Sequence, residues 1–120
     1  MDRRILEVLE VLEAEWNRPL SVRRLAIGVS LSPRRLRQLF GKEVGISITQ
    51  YIRQKRLKTA AELLINTHMR ISEICYRVGY DNPRSFARLF KHFCGDTPSD
   101  YRLNKANESE NNNSMSWPLI

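Results

Sequence analysis

Two cysteines in 120 residues are too few for the disulfide framework of a small secreted domain, and in a reducing compartment both are expected to be free thiols. The N-terminus carries Asp2 and early acids where a secretory leader would be basic and then apolar, so a cytoplasmic location is expected. No apolar run approaches the ~18 residues of a membrane span, and no membrane partner is expected. HExxH, GxSxG and a phosphate-binding glycine loop are all missing, which leaves no catalytic constellation and points away from an enzyme. Cys75, Cys94, His68 and His92 are the right residue types for a metal. Cys75, however, lies on an apolar helical stripe, and His92-x-Cys94 lacks zinc-finger spacing. Neither metal nor cofactor is expected.

Acidic side chains are scarce in one place above all. Residues 21–60 hold ten basic side chains against the single acid Glu43, within a formal net charge of +7. Residues 1–20 hold three basic and five acidic groups, and residues 61–120 hold seven of each. A basic segment this lopsided suits a nucleic acid, with a solvated basic surface as the plain alternative.

What the chain does have is a repeat. Pro33, Arg34, Leu39, Phe40, Gly45 and Tyr51 recur 50 residues later as Pro83, Arg84, Leu89, Phe90, Gly95 and Tyr101. Upstream, Val22, Leu25, Ala26 and Val29 recur as Ile71, Ile74, Cys75 and Val78 at an offset of 49, so the second copy has one extra residue near Asp81. Two copies are too few for a solenoid and indicate a duplicated supersecondary unit. Units of about 50 residues are marginal alone, and one domain built from two subdomains is the expected organisation.

The spacing predicts an all-α chain of about seven helices. Ile5, Leu9, Leu12 and Trp16 share one face of an amphipathic helix over 2–16, with glutamates elsewhere. Ser21 caps a short helix carrying Val22, Leu25, Ala26 and Val29 inward; a turn at Ser30 follows, and Ser32-Pro33 opens the next helix, because proline at the first position has no helical N–H to lose. Gly45 stops it. Ser47 with Gln50 is a capping box, opening a central helix that ends at Asn66-Thr67. At ~1.5 Å per residue, its 18 residues would make a rod about 27 Å long. The second copy runs from Ile71 to Val78, turns at Gly79-Tyr80-Asp81, restarts at Asn82-Pro83 and stops at Gly95. Thr97-Pro98 starts a last short helix with Tyr101 and Leu103 to bury. The expected boundaries are 1–46 for the first helix-turn-helix subdomain, 47–66 for the linker helix and 67–103 for the second. A polar, disordered tail is expected over 104–120.

Rotation by 100° per residue places Leu36, Leu39 and Phe40 on one side of the first candidate recognition helix, with Arg34, Gln38 and Gly41 opposite, Arg37 beside them and Arg35 on the far flank. In the second, Phe86, Leu89, Phe90 and Phe93 face inward, and Arg84, Arg88 and Lys91 lie opposite, flanked by Ser85 and Ala87. Arginine paired with guanine and glutamine paired with adenine are the common base-edge contacts in a major groove. Any one of these side chains alone has solvation as its alternative. Arg35, Lys42, Arg53 and Lys91 are the candidates for phosphate. Two such helices at the ends of the rod would reach successive major grooves, ~34 Å apart.

From about Leu20 to Arg102 the chain resembles the paired helix-turn-helix DNA-binding domain of the AraC/XylS transcription regulators. The carriers are Leu25-Ala26, Leu31-Ser32-Pro33, Leu36, Leu39-Phe40, Gly45, Tyr51-Ile52, Arg56-Leu57, Ala60 and Leu63-Leu64 in the first part. In the second they are Ile71, Ile74, Val78-Gly79-Tyr80, Phe86, Phe90, Gly95, Pro98 and Tyr101-Arg102. The resemblance implies base-edge roles for Arg34, Arg37 and Gln38, and for Pro83, Arg84, Ser85 and Arg88. Pro83 donates no hydrogen bond and would offer only apolar contact to a thymine methyl. Three positions depart from the pattern: Ser30 stands where glycine is usual, Arg70 where a small capping residue is usual, and Cys75 replaces an alanine. The resemblance further implies the stand-alone type of the family: a monomer on double-stranded DNA, an activator whose second partner is RNA polymerase, with no small-molecule ligand. A DNA-binding fragment of a larger ligand-responsive regulator, a sequence-indifferent architectural binder and a protein-interaction adaptor using the acidic first helix are the alternatives.

Overall fold

The computed structural model describes residues 1–108, and among them every regular element is a helix. In order these are α1 (Arg3–Glu15), α2 (Val22–Gly28), α3 (Pro33–Val44), α4 (Ile48–Asn66), α5 (Ile71–Arg77), α6 (Pro83–Cys94) and α7 (Pro98–Glu108). They form two compact units, Met1–Lys55 and one beginning at Arg56, so the boundary falls inside α4.

In the first unit, Ile5, Val8 and Leu12 of α1 pack with Leu25, Ala26 and Val29, with Leu36 and Phe40 of α3, and with Ile48 of α4. Each helix start has its side-chain acceptor. Asp2 accepts from the Arg4 N–H at 2.8 Å and also from its guanidinium. Those hydrogen bonds, the side-chain one foremost, hold the Asp2 carboxyl down at about 2. Ser21 and Ser32 accept from Arg24 and Arg35. Ser47 and Gln50 exchange the two bonds of a capping box, at 3.1 and 2.9 Å. Glu43, alone among the bases of its segment, accepts the Asp2 N–H with both carboxylate oxygens.

In the second unit the buried residues are Leu57, Ala60, Ala61 and Leu64 of α4, Ile74, Cys75 and Val78, Phe86 and Phe90, and Pro98 and Tyr101 of α7. The rings of Phe86 and Phe90 are 5.9 Å apart, and Phe90 meets Tyr101 edge-on at 5.2 Å and 83°. The first unit has the same contact, Phe40 against Tyr51 at 6.0 Å and 89°. The duplication therefore extends to side-chain geometry. It also reaches further than the sequence motif. Lys55 lies over the Tyr51 ring at 5.8 Å and Lys105 over Tyr101 at 5.7 Å. Ile5, Val8 and Leu12 of α1 are spaced like Leu57, Ala60 and Leu64 of α4, and all six are buried. Each copy is thus four helical segments, and α4 is the last segment of one continued into the first segment of the next.

The turns follow the repeat in backbone, with one exchange of residue type. The Leu31 N–H donates to Ala26 O at 2.9 Å, and the Tyr80 N–H to Cys75 O at 3.0 Å. Each turn passes through positive φ, at Gly79 (102°) in the second copy but at Ser30 (59°) in the first. Gly45 and Gly95 close α3 and α6 at φ 90° and 92°, where a side chain would be strained. Arg70 heads α5 without a side-chain hydrogen bond to the helix start.

Two expectations change. Leu103 is 63% exposed and buries nothing; Pro98 and Tyr101 anchor α7. The helix also runs on to Glu108, past the residue where a polar tail was expected to begin. Lys105 on the Tyr101 ring and Asn104 Nδ2 donating to Asp96 at 3.4 Å hold the extra turn. The remainder of the expected tail, with Trp117-Pro118-Leu119-Ile120, lies outside the described residues.

Candidate nucleic-acid interface

The solvent faces of α3 and α6 are built the same way. Ser32 and Asn82 cap the two helices, Pro33 and Pro83 take the first helical position, and Leu36 with Phe40, or Phe86 with Phe90, are buried. A helix fixed by two aromatic or aliphatic residues one turn apart has little rotational freedom, so the residues on its opposite face are held outward. In α3 these are Arg34, Arg35, Arg37 and Gln38, all exposed; in α6 they are Arg84, Ser85 and Arg88, also exposed. Pro83 and Ala87 are half-buried. Lys42 and Lys91 are exposed in the last turns of their helices. A Cβ built on Gly41 would meet nothing within 4 Å, so internal packing does not require glycine there and α3 is open at that point.

Among the described residues, the ion pairs join Arg3 to Glu7, Arg4 to Asp2, Lys55 to Glu13 and Arg70 to Glu73. Arg34, Arg35, Arg37, Lys42, Arg84, Arg88 and Lys91 take part in none of them. Each unit thus turns its own set of cations to solvent, four on α3 and three on α6, and each set suits a polyanion.

The basic residues of α4 are different. Arg53 is half-buried with its Nε out of solvent, a poorer phosphate candidate than its charge suggested. Lys55 pairs with Glu13 at 2.8 Å, and the Tyr51 hydroxyl donates to the same carboxylate. Burial, then the adjacent carboxylate, push the Tyr51 phenol up to about 12, and the bonds from Lys55 and Tyr51 draw Glu13 below its ordinary value. Arg56 donates to Gly79 O at 3.2 Å and stands over the Tyr80 ring at 5.1 Å. Arg102 donates to Leu64 O at 2.9 Å and to Thr67 O at 3.3 Å, closing the C-terminal end of α4. The partners of Lys55 and Arg56 are distant in sequence, and only the fold brings them together. Among the described residues no group of His, Cys, Asp and Glu could hold a metal ion, and no helix is long and apolar enough to cross a membrane.

Residues 25–104 match a family profile described as a helix-turn-helix domain. The chain is 33% identical over 99 residues to the transcriptional activator AarP of Providencia stuartii, covering 82% of this chain and 73% of that protein. It is 32% identical over 96 residues to the Msm operon regulatory protein of Streptococcus mutans, covering 80% of this chain but only 34% of the relative. Among solved structures, the C-terminal domain of AraT, a response regulator from Geobacillus stearothermophilus, superposes with a TM-score of 0.81 at 30% identity, covering 86% of each chain. The chain therefore spans about a third of one relative and most of the other.

Proposed function

Since this chain belongs to the AraC/XylS family of helix-turn-helix proteins, we propose that it is a sequence-specific DNA-binding transcription regulator, with α3 and α6 entering successive major grooves of one duplex. The observation that carries this reading is the duplicated pair of capped, proline-started helices. Each turns unpaired arginines to solvent from a backbone pinned by buried side chains. Arg34, Arg37 and Gln38, and Arg84, Ser85 and Arg88 with Pro83 at their edge, read bases; Arg35, Lys42 and Lys91 fix register on phosphates, with Arg53 at most a lesser contributor. The boundaries that go with this function are a first grip over 1–46, a helix over 47–66 and a second grip over 67–103. The protein acts in the cytoplasm as a monomer on DNA, without a small-molecule ligand in this domain and without catalysing a reaction. The relative named an activator supports activation; RNA polymerase is the second partner this proposal expects.

A second reading, that this domain is the DNA-binding end of a longer ligand-responsive regulator, is favoured by the relative of which it spans 34%. Selection of bound sequences from random DNA tests the common core. A two-part site with halves about one helical turn, ~34 Å, apart is expected; selection of no consensus would replace this reading with a sequence-indifferent binder. On the selected site, Arg34→Ala or Arg84→Ala loses ~1–3 kcal/mol and relaxes one base position. Lys42→Ala instead weakens all sequences alike and lowers the salt slope by ~0.9. Equal loss on random DNA for Arg34→Ala would refute its base-reading role.

A further inference from the structure

We propose that Arg56 is a positioning residue: it clamps the turn between α5 and α6 and so fixes the direction in which Arg84, Ser85 and Arg88 leave α6, without itself touching DNA. Three contacts within the second unit form one chain. Arg56 Nη1 donates to the carbonyl of Gly79 at 3.2 Å. The guanidinium lies over the Tyr80 ring, 5.1 Å from its centroid. The Tyr80 ring in turn lies 5.6 Å from Phe86, tilted by 34°, and Phe86 is 1% exposed in the first turn of α6. Arginine alone suits this place, because its planar group hydrogen-bonds in the plane and stacks through the face at once.

The contact point matters mechanically. Gly79 has φ 102°, outside the conformations open to side chains, and the peptide it starts sets the chain's course into α6. Its carbonyl would otherwise be an acceptor beyond the end of α5 with no helical donor. The first unit lacks the device. Leu31 takes the place of Tyr80, and Arg4, one residue before Ile5 as Arg56 is before Leu57, bonds Asp2 at 3.1 and 3.0 Å. Bidentate base contacts tolerate little misalignment, since hydrogen bonds weaken steeply away from linear geometry. A loosened turn therefore acts on base reading by the second unit alone.

The inference rests on the proposed base-reading function, and the test separates the two. The whole chain carries Arg56→Met, which keeps the stem and removes the guanidinium, or Arg56→Lys, which keeps charge without the plane. In the free protein, amide exchange is followed at Tyr80 and Phe86, whose N–H groups bond Cys75 O and Asn82 O. Arg56→Met is expected to quicken exchange at Tyr80 by about tenfold or more, matching one lost charge-assisted hydrogen bond, with Arg56→Lys intermediate. On DNA, it is expected to lose about tenfold on the selected site, nothing on a site whose α6 half is scrambled, and none of the salt slope. Unchanged exchange at Tyr80, equal loss on both sites, or a salt slope lower by about one phosphate would each overturn the clamp. Should Arg56→Met fail to fold, Arg56→Lys decides by the same exchange and binding readouts. A wild-type protein that selects no two-part site removes the functional reading, while the exchange result still decides the clamp.

Discussion

Replacing Ser30 by glycine should make this protein more stable, and putting serine at Gly79 should do the reverse. Ser30 is the one non-glycine residue at positive φ among the described residues, and its angle of 59° sits in the left-handed region. There a side chain costs ~1–2 kcal/mol. Glycine removes that strain but brings ~0.5–1 kcal/mol of extra backbone freedom to the unfolded chain. The net gain is roughly 0.5–1 kcal/mol, or about 2–5 °C in melting temperature for a chain this size. Nothing else is lost, since Ser30 is exposed and its N–H keeps the bond to Ile27 O at 3.1 Å. Gly79, at 102°, lies beyond the left-handed well that serine tolerates, so Gly79→Ser should destabilise by ~1–3 kcal/mol. Thermal unfolding followed by circular dichroism gives both numbers. A Ser30→Gly protein melting at or below the wild type, or a harmless Gly79→Ser, would refute the argument that the two turns are equivalent in backbone and unequal in strain.

Two other perturbations follow from the side chains that hold α4. Arg102→Ala leaves the Leu64 and Thr67 carbonyls without their cationic donor and should cost ~1–3 kcal/mol in urea unfolding; a change below ~0.5 kcal/mol, the scatter of ordinary surface substitutions, would show that water replaces the arginine freely. For Tyr51, burial and the adjacent Glu13 carboxylate raise the phenol from its ordinary value of about 10 to about 12. Its contribution to stability is therefore fully present below pH ~10 and lost as pH rises through ~12. In an ultraviolet titration, Tyr51→Phe should remove a phenol that ionises at about 12; an unchanged upper limb would place that proton elsewhere.

Local signals made much of the fold legible. Caps such as Ser32 with Pro33, the Ser47–Gln50 box and the stop at Gly45 act over four residues, and each stands where the spacing put it. The duplication was legible because its spacing keeps Phe40 on Tyr51 and Phe90 on Tyr101. Helical rotation also put Arg34, Gln38, Arg84 and Arg88 outward. Local pattern says least about residues whose surroundings come from elsewhere in the chain. A wheel assumes one covered side, yet α4 buries Ile48 in one unit and Leu57, Ala60, Ala61 and Leu64 in the other. Charge on such a helix cannot be divided by pattern into solvent-facing and inward. Lys55 and Arg56 found Glu13 and Gly79 at separations of 42 and 23 residues. Leu103 failed in the opposite sense: an apolar residue beside Tyr101 suggested a stripe, and Pro98 with Tyr101 was enough.

That α4 belongs to both copies limits how such proteins can be recombined. A chimera exchanging halves with a relative must cross over without slipping the helix by even one residue. A slip between Leu57 and Leu64 would swing the buried residues beyond it by ~100° away from the core they fill, and a gap would open four N–H and four C=O groups in what is now unbroken backbone. Swaps placed in the turns carry no such phase requirement. Shuffling between paralogues should therefore leave its scars in the turns, and pass the two sides of the central helix on as a single heritable block.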